Sequence, residues 1–246
     1  VIQRRSKSPF TRTTKQVLPP PLPFANHGAG SASPSSSASN STSGPFLTTS
    51  ILLTLGRRPD MPTWLTVDTD DFRHLPKHQG HPTRSKETFS GPSDRLSETF
   101  LTGWGRMLDW MDHHDGAITL FVISDLLEME DFSEGLSSAL ERFPERLTVA
   151  CHGHSHRSWS AWGEDKSGFE AMLDRSTALL KAHAGEAFRP YFRAPNGYIA
   201  PWMAASLAKK GYIVDSSVNP SWLVKSKAGG ASWEAVSDAM AEAGVI

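Results

Sequence analysis

The sequence predicts an α/β fold, an incomplete (β/α) barrel, behind a disordered amino-terminal leader. Apolar runs alternate with amphipathic stretches from Met61 onward, five such runs follow one another, and the first 60 residues lack this pattern. Alternating strands and helices favour a parallel sheet with helices packed against it. In barrels built this way, functional side chains stand at the carboxyl ends of the strands.

The leader, residues 1–60, has the composition of a low-complexity segment. It contains three consecutive prolines at 19–21, and eight of the fourteen residues in the segment 31–44 are serine. Such a segment buries too little apolar surface to offset the entropy lost on ordering, which predicts disorder. Because the pattern changes abruptly at Met61, we interpret this methionine as the natural start and residues 61–246 as the folded domain.

The first two strand–helix units follow from the spacing of apolar residues. The apolar run 63–67 ends at Asp68 and predicts a buried strand, and the helical spacing over 94–113 predicts the helix that follows it. A second strand is predicted over 117–124. A second helix is predicted over 132–143, where the large apolar residues share one face.

The remaining units repeat this alternation. A third strand is predicted over 147–151 and is followed by a helix over 169–184. A short fourth strand is predicted over 191–193. The helix over 201–210 ends before a glycine and leads to a fifth strand over 212–214. Five units in series predict a parallel sheet or a barrel.

Composition excludes several classes of protein. Residues 1–60 hold seven basic residues and one acidic residue, whereas the remainder is acidic, so we expect no nucleic-acid partner. The single cysteine, Cys151, excludes an internal disulfide framework and a cysteine-rich zinc module. No apolar stretch is long enough for a transmembrane segment, and no convincing signal peptide is present. We therefore expect a soluble, cytoplasmic protein of unknown oligomeric state.

Polar residues follow three of the predicted strands. Asp68 and Asp70 stand at the end of the first, His152 and His156 at the end of the third, and Arg193 at the end of the fourth. The carboxyl ends of parallel strands meet at one rim, so we expect these side chains to converge. Two histidines four residues apart can present both imidazoles on one side of a turn.

The same residue types have ordinary structural roles as well. An Asp-x-Asp pair is common in turns and caps, and a His-x-x-x-His pair can be a solvated polar loop. We expect His154 to be solvated, and His113 and His114 to form an exposed helix end. Aromatic residues near the motifs could stack on sugar rings or simply pack: Trp159, Trp162, Tyr198 and Trp222.

Two imidazoles and one carboxylate would leave positions on a bound metal open for water and substrate, as catalysis requires. The metal would lower the pKa of bound water, and a second carboxylate would accept its proton. Asp68 and Asp70 should therefore have different roles, and the residues alone do not assign them. Arg193 could keep the proton-accepting carboxylate ionised and aligned.

Four motifs in order resemble those of the polysaccharide deacetylases, carbohydrate esterase family 4: Thr66–Asp70, Ala150–His156, Phe192–Gly197 and Asp215–Ser217. The resemblance runs from residue 61 to about 224. It implies metal-dependent hydrolysis of the N-acetyl group of an amino sugar, with a carbohydrate substrate. It also implies that Asp68 is the base, that zinc is bound by Asp70, His152 and His156, that Arg193 orients the base, and that Asp215 tunes the catalytic groups.

The sequence departs from the family pattern in two places. The first motif continues into Asp71, which leaves that residue as a competing metal ligand. The family's last motif supplies a histidine that protonates the leaving amine, yet no histidine follows His183. These features predict a domain truncated at its carboxyl end with slow turnover. Two alternatives stay open, a small-molecule amidohydrolase on the same barrel and an inactive metal-binding remnant.

Overall fold

The computed structural model of the chain describes residues 64–218 and 226–246. All of them belong to one compact unit. The predicted leader, residues 1–60, lies outside the described residues, and so does Trp222. No helix in the described part of the chain is both long and apolar enough to cross a bilayer.

The core of the fold is a sheet of parallel strands in sequential order. Within the described residues its strands are β1 (Leu65–Asp68), β2 (Ile118–Val122), β3 (Leu147–Cys151), β4 (Phe188–Phe192) and β5 (Val214–Asp215). Each strand is parallel to its neighbour, and helical connections join them. The sheet forms half of a barrel, which confirms the predicted incomplete (β/α) barrel.

The helices are bounded by recognisable end residues. They are α1 (Glu98–His113), α2 (Glu130–Arg142), α3 (Trp159–Trp162), α4 (Lys166–Ala184), α5 (Pro201–Lys209) and α6 (Trp233–Ala243). The Ser97 hydroxyl accepts a hydrogen bond from the backbone N–H of Phe100 and so caps α1. Asp165 caps α4 in the same way. Pro201 occupies the first turn of α5, where its missing N–H costs nothing.

The apolar core lies between the sheet and these helices. Every residue of β2 is buried, and Phe132 and Leu136 of α2 pack in the same cluster. In the same cluster, Phe169 of α4 contacts the ring of Phe192 edge to face, with ring centroids 5.7 Å apart. Burying an aromatic or leucine side chain contributes roughly 1.5–3 kcal/mol, so these contacts hold the strand ends in place.

Three predicted strands differ in burial or position from the structure, and the other predicted elements differ by up to four residues at their ends. The first strand is not fully buried: Leu65 is 38% exposed, because β1 lies at an edge of the described sheet. The fourth strand begins three residues earlier than predicted, at Phe188, because exposed Arg189 interrupts its apolar pattern. The fifth strand is shifted towards the carboxyl end, to Val214–Asp215. The short helix α3 was not predicted.

The backbone after α6 returns to the sheet. The N–H of Ile246 donates to the carbonyl of Ile213 at 3.0 Å, and the N–H of Asp215 donates to the carbonyl of Ile246 at 2.8 Å. This is the bonding pattern of a parallel ladder. Residue 246 thus lies beside β5 and extends the order of the sheet.

The register of the strands places the carboxyl ends of β1, β2, β3 and β4 at the same height in the sheet. Asp68 at the end of β1 pairs with Phe121, and Cys151 at the end of β3 pairs with both Val122 and Phe192. The residues that follow these strands therefore emerge at one rim, as the sequence predicted.

Candidate metal centre and active site

A compact group of potential metal ligands lies at this rim. It consists of Asp70, His152 and His156, whose ligand atoms all lie within 4.8 Å of one another. The Nε2 atom of His156 is 2.8 Å from Oδ1 of Asp70, and Nε2 of His152 is 3.9 Å from Oδ2 of the same carboxylate. The structure thus brings the three predicted ligands together.

Both imidazoles are held so that Nε2 faces the group. Nδ1 of His152 lies 2.8 Å from the carbonyl oxygen of Arg193, and Nδ1 of His156 lies 2.7 Å from that of His74. A carbonyl can only accept, so Nδ1 of each ring carries a proton, and Nε2 is the nitrogen left facing the group. Both histidines are buried, which fixes their ring orientations. Two nitrogens and one carboxylate oxygen, with room beside them, fit an open catalytic site for a divalent metal such as zinc.

The protonation states of this group also suit metal binding. Burial lowers the pKa of His152, so its imidazole is neutral at neutral pH. Burial alone would raise the pKa of Asp70, but the hydrogen bond and positive charge of His156 outweigh it and lower that pKa. Metal ligands must be deprotonated to bind, and these shifts hold both groups in that form.

His74 is a residue of the candidate site that the sequence reasoning missed. Its side chain is completely buried, Nδ1 accepts a hydrogen bond from the N–H of Asp71 at 3.0 Å, and Nε2 lies 3.1 Å from Oδ1 of Asp125. The ring is therefore clamped on both sides, and its carbonyl is fixed where it receives Nδ1–H of His156. No motif marks this role, since Asp125 is 51 residues away in the sequence.

A tight turn brings this loop against His156. Gly80 has φ 83°, and a Cβ built on it would lie 2.3 Å from the carbonyl oxygen of His156. A side chain there would clash with backbone, so glycine is required for this close approach. His156 itself has φ 53°, a conformation that non-glycine residues rarely adopt.

Asp71 does not face the metal group. Its carboxylate accepts hydrogen bonds from the N–H groups of Phe72 at 2.7 Å and Ser97 at 3.2 Å, and it is buried. Arg73 lies 3.6 Å from it. These bonds commit Asp71 to capping the short turn after β1 and joining it to the start of α1, which favours Asp70 over Asp71 as a ligand.

A second carboxylate stands beside the metal group. Oδ2 of Asp68 is 4.0 Å from Nε2 of His152, and Oδ1 accepts a hydrogen bond from Nη1 of Arg193 at 2.6 Å. The guanidinium of Arg193 also donates to the hydroxyls of Thr66 and Ser216, and it stacks 4.1 Å from the ring centroid of Phe121. Because these contacts fix the guanidinium from three directions, Arg193 holds the Asp68 carboxylate in one orientation.

Asp215 lies behind the ion pair of Asp68 and Arg193. It is not among the described residues that line the cavity at the metal group. Its carboxylate accepts from the hydroxyl of Ser217 at 2.5 Å and from the N–H of Ser217 at 3.1 Å. That hydroxyl in turn accepts from the N–H of Ala194, so Asp215 supports the turn that follows Arg193. Burial raises the pKa of Asp215 to about 6.

The raised pKa of Asp215 predicts how stability depends on pH. The ordinary pKa of 3.8 applies in the unfolded chain, so the folded protein binds more protons between this value and about 6. The carboxyl group therefore lowers the free energy of unfolding as the pH rises through this window, by at most about 3 kcal/mol. Asp215→Asn removes this titration. Urea denaturation across the window should show a shallower decline for Asp215→Asn than for wild type.

A matched control is Asp109→Asn, which removes an exposed carboxylate on α1. It should keep the wild-type slope. The same slope in wild type and Asp215→Asn would show that Asp215 does not titrate in this range.

The other sequence-predicted residues have simpler surroundings. His113 and His114 are exposed at the end of α1, as predicted. His154 was expected to be solvated, but it is half-buried and its Nδ1 lies 3.0 Å from the hydroxyl of Ser124. Trp159 and Tyr198 are buried packing residues, whereas Trp162 is 48% exposed.

The metal group opens into a polar cavity of about 570 Å³. Besides the metal group, the described residues that line it include Asp68, Arg193, Ala194, Asn196, Gly197, Lys227 and Trp233. An apolar groove of about 360 Å³, between β1 and α1, reaches the same two aspartates, Asp68 and Asp70, from the other side. The polar cavity is therefore where a hydrophilic substrate could meet the metal group.

Comparison with known proteins gives a family match and a similar solved structure. Residues 93–214 match the family model of polysaccharide deacetylases. The chain is also similar to the crystal structure of a candidate polysaccharide deacetylase from Mycobacterium smegmatis, with 23% sequence identity and a TM-score of 0.48. That match covers 63% of this chain, and the chain spans half the length of the other. No curated protein is significantly similar in sequence. The family match includes both candidate histidine ligands and Arg193, and residues 93–214 belong to the polysaccharide deacetylase family.

Proposed function

We propose that the protein catalyses metal-dependent hydrolysis of the N-acetyl, or another N-acyl, group of an amino sugar in a glycan or glycan precursor. The observation that carries this proposal is the pairing of the Asp70–His152–His156 group with a separate carboxylate, Asp68, held by Arg193. Family membership supports carbohydrate deacetylation in general. The metal and the particular glycan are part of the proposal.

The roles of the residues follow from their positions. A bound divalent metal would lower the pKa of a water molecule towards about 7 and polarise the acyl carbonyl. Asp68 stands within reach to accept the proton of the attacking water, because one of its oxygens points to the metal group while Arg193 holds the other. Asp70, His152 and His156 would hold the metal, and the carbonyls behind the two imidazoles would keep them aimed.

The surroundings of the cavity favour a hydrophilic substrate larger than an isolated amide. The lining is polar and about 570 Å³ is open. Trp162 leaves about half of its surface exposed, and its Nε1–H donates to the carbonyl of Gly80 at 3.0 Å, on the loop that crosses His156. A fixed, exposed indole of this kind can stack on a sugar ring.

Acetate release tests the proposal. Purified protein, loaded with zinc, should release acetate from one or more of chitin oligomers, peptidoglycan fragments and small N-acetyl amides, and a chelator should abolish the release. Asp68→Asn is the matched inactive control. Preference for oligosaccharides over small amides supports the carbohydrate assignment. Faster hydrolysis of small amides would favour a small-molecule amidohydrolase, and metal binding without acetate release from any substrate would leave a metal-binding remnant.

A further inference from the structure

The polar cavity and the apolar groove meet at the candidate catalytic group. Among the described residues, Asp68 and Asp70 are the only ones that line both spaces. Asp70 is a candidate metal ligand and Asp68 is the candidate base, so the amide bond to be broken would lie where the two spaces join. The inference that follows rests on the proposed function and concerns the acyl side of that bond.

The apolar groove has a volume of about 360 Å³, far more than the methyl of an acetyl group fills. Its apolar lining comes from β1, from the turn after β1 and from α1: Val67, Phe72, Leu75, Phe100, Trp104 and Met107. The rings of Phe100 and Trp104 are stacked with centroids 6.2 Å apart, and each contacts the ring of Phe132 in the core edge to face. These contacts hold two aromatic side chains of the groove in place without a ligand.

The polar side chains elsewhere in the groove lining are largely occupied within the protein. Asp71 accepts from two backbone N–H groups, and the hydroxyl of Ser97 caps α1. The hydroxyl of Thr69 accepts from the N–H of Ile123 at 3.1 Å. No basic side chain lines the groove among the described residues. The groove is therefore unsuited to an anion, and it favours a ligand that is polar only where it meets Asp68 and Asp70 and apolar beyond them.

Gly103 of α1 leaves space in the wall of the groove. It lines the groove, and a Cβ built on it would meet nothing within 4 Å beyond the backbone of its own helix. Glycine is an unfavourable residue inside a helix, and packing gives no reason for it here. Gly105 lies in the same helix with the same open space, but it does not line the groove. The two glycines therefore form a matched pair for substitution.

We propose that the apolar groove binds the acyl chain of the substrate, and that this chain is longer than acetyl. The amino sugar occupies the polar cavity, the acyl carbonyl lies at the metal group, and the alkyl chain extends between β1 and α1. Hydrolysis adds the oxygen of water to the acyl carbon and its hydrogen to the departing nitrogen, which releases a carboxylate and the free amine. Each methylene buried in the groove should strengthen binding by about fourfold.

Binding of an acyl series tests the proposal first. N-acylglucosamines with acetyl, butanoyl, hexanoyl and octanoyl chains are titrated into the zinc-free full chain by calorimetry. Affinity should rise along the series, by at least about 100-fold from acetyl to octanoyl. In the zinc-loaded protein, kcat/KM for hydrolysis of the same compounds should rise in the same order.

The matched glycine variants test where the chain binds. Gly103→Leu fills the groove, so the preference for octanoyl over acetyl should fall by at least about tenfold, the effect of losing roughly two buried methylenes. Gly105→Leu should keep the wild-type affinities. Leucine is a better helix former than glycine, so both variants should fold, which their melting temperatures check.

The remaining outcomes separate this inference from the proposed function. Equal affinity along the series would overturn the inference and leave the groove to another occupant, a segment of this chain or a second copy of it. An unchanged octanoyl preference in Gly103→Leu, or equal losses in both variants, would also overturn it. The calorimetry needs neither zinc nor turnover. Rising affinity without hydrolysis of any compound would therefore support the groove as an acyl site and overturn the proposed function alone.

Discussion

Asp68→Asn is expected to bind zinc as tightly as wild type while its turnover falls by about 10²–10⁴-fold. The reason is that Asp68 lies beside the metal group but outside it, with one oxygen bonded to Arg193. Asparagine keeps the size of the side chain and can still accept from Arg193, but it cannot accept a proton from water. Zinc content by mass spectrometry and acetate release by a coupled assay measure the two effects separately.

Asp70→Asn is the matched comparison and should show the opposite pattern at the metal. It replaces an anionic ligand by a neutral one, so zinc affinity itself should fall. If Asp68→Asn lost zinc while Asp70→Asn retained it, the two roles would be exchanged. Full turnover in Asp68→Asn would place the base elsewhere in the protein.

His152→Ala and His156→Ala are expected to weaken zinc binding by at least about 100-fold each. Loss of an outer partner of a metal ligand alone typically costs 10–100-fold, and here the ligand itself is removed. Both imidazoles present Nε2 to Asp70, so neither histidine can replace the other. Competition with a chromophoric chelator measures the affinities without any need for turnover.

His113→Ala is the control for this experiment, because it removes an exposed histidine at the end of α1. It should bind zinc as wild type does. Equal zinc affinity in wild type and in the double variant of His152 and His156 would refute the metal assignment.

The framework of the site could be predicted because it depends on local patterns. Apolar runs mark the strands, and a polar residue directly after such a run has to stand at the rim of a parallel sheet. This is why Asp68, His152 and Arg193 were found from the sequence and lie at that rim in the structure. The order of the four motifs also predicted the family, and the match over residues 93–214 confirms that prediction.

Other features depend on directions and partners that sequence spacing does not reveal. Asp70 and Asp71 are adjacent and chemically identical, and the N–H groups of Phe72 and Ser97 decide which of them turns away from the metal group. His74 acquires its role through His156, which is 82 residues further along the chain.

The clamp around His74 links metal binding to the folding of a surface loop. The carbonyl of His74 orients His156, and Gly80 of the same loop presses against the His156 backbone. An ion that binds only when His156 is in place therefore stabilises the closed form of the loop relative to open forms. Binding of the ion adds RT ln(1 + [L]/Kd) to the free energy that favours the closed form over the open forms. Here [L] is the concentration of the ion and Kd is its dissociation constant from the closed form. With the proposed metal bound, metal concentration would set how often the segment between β1 and α1 opens, and how fast its amide hydrogens exchange with solvent.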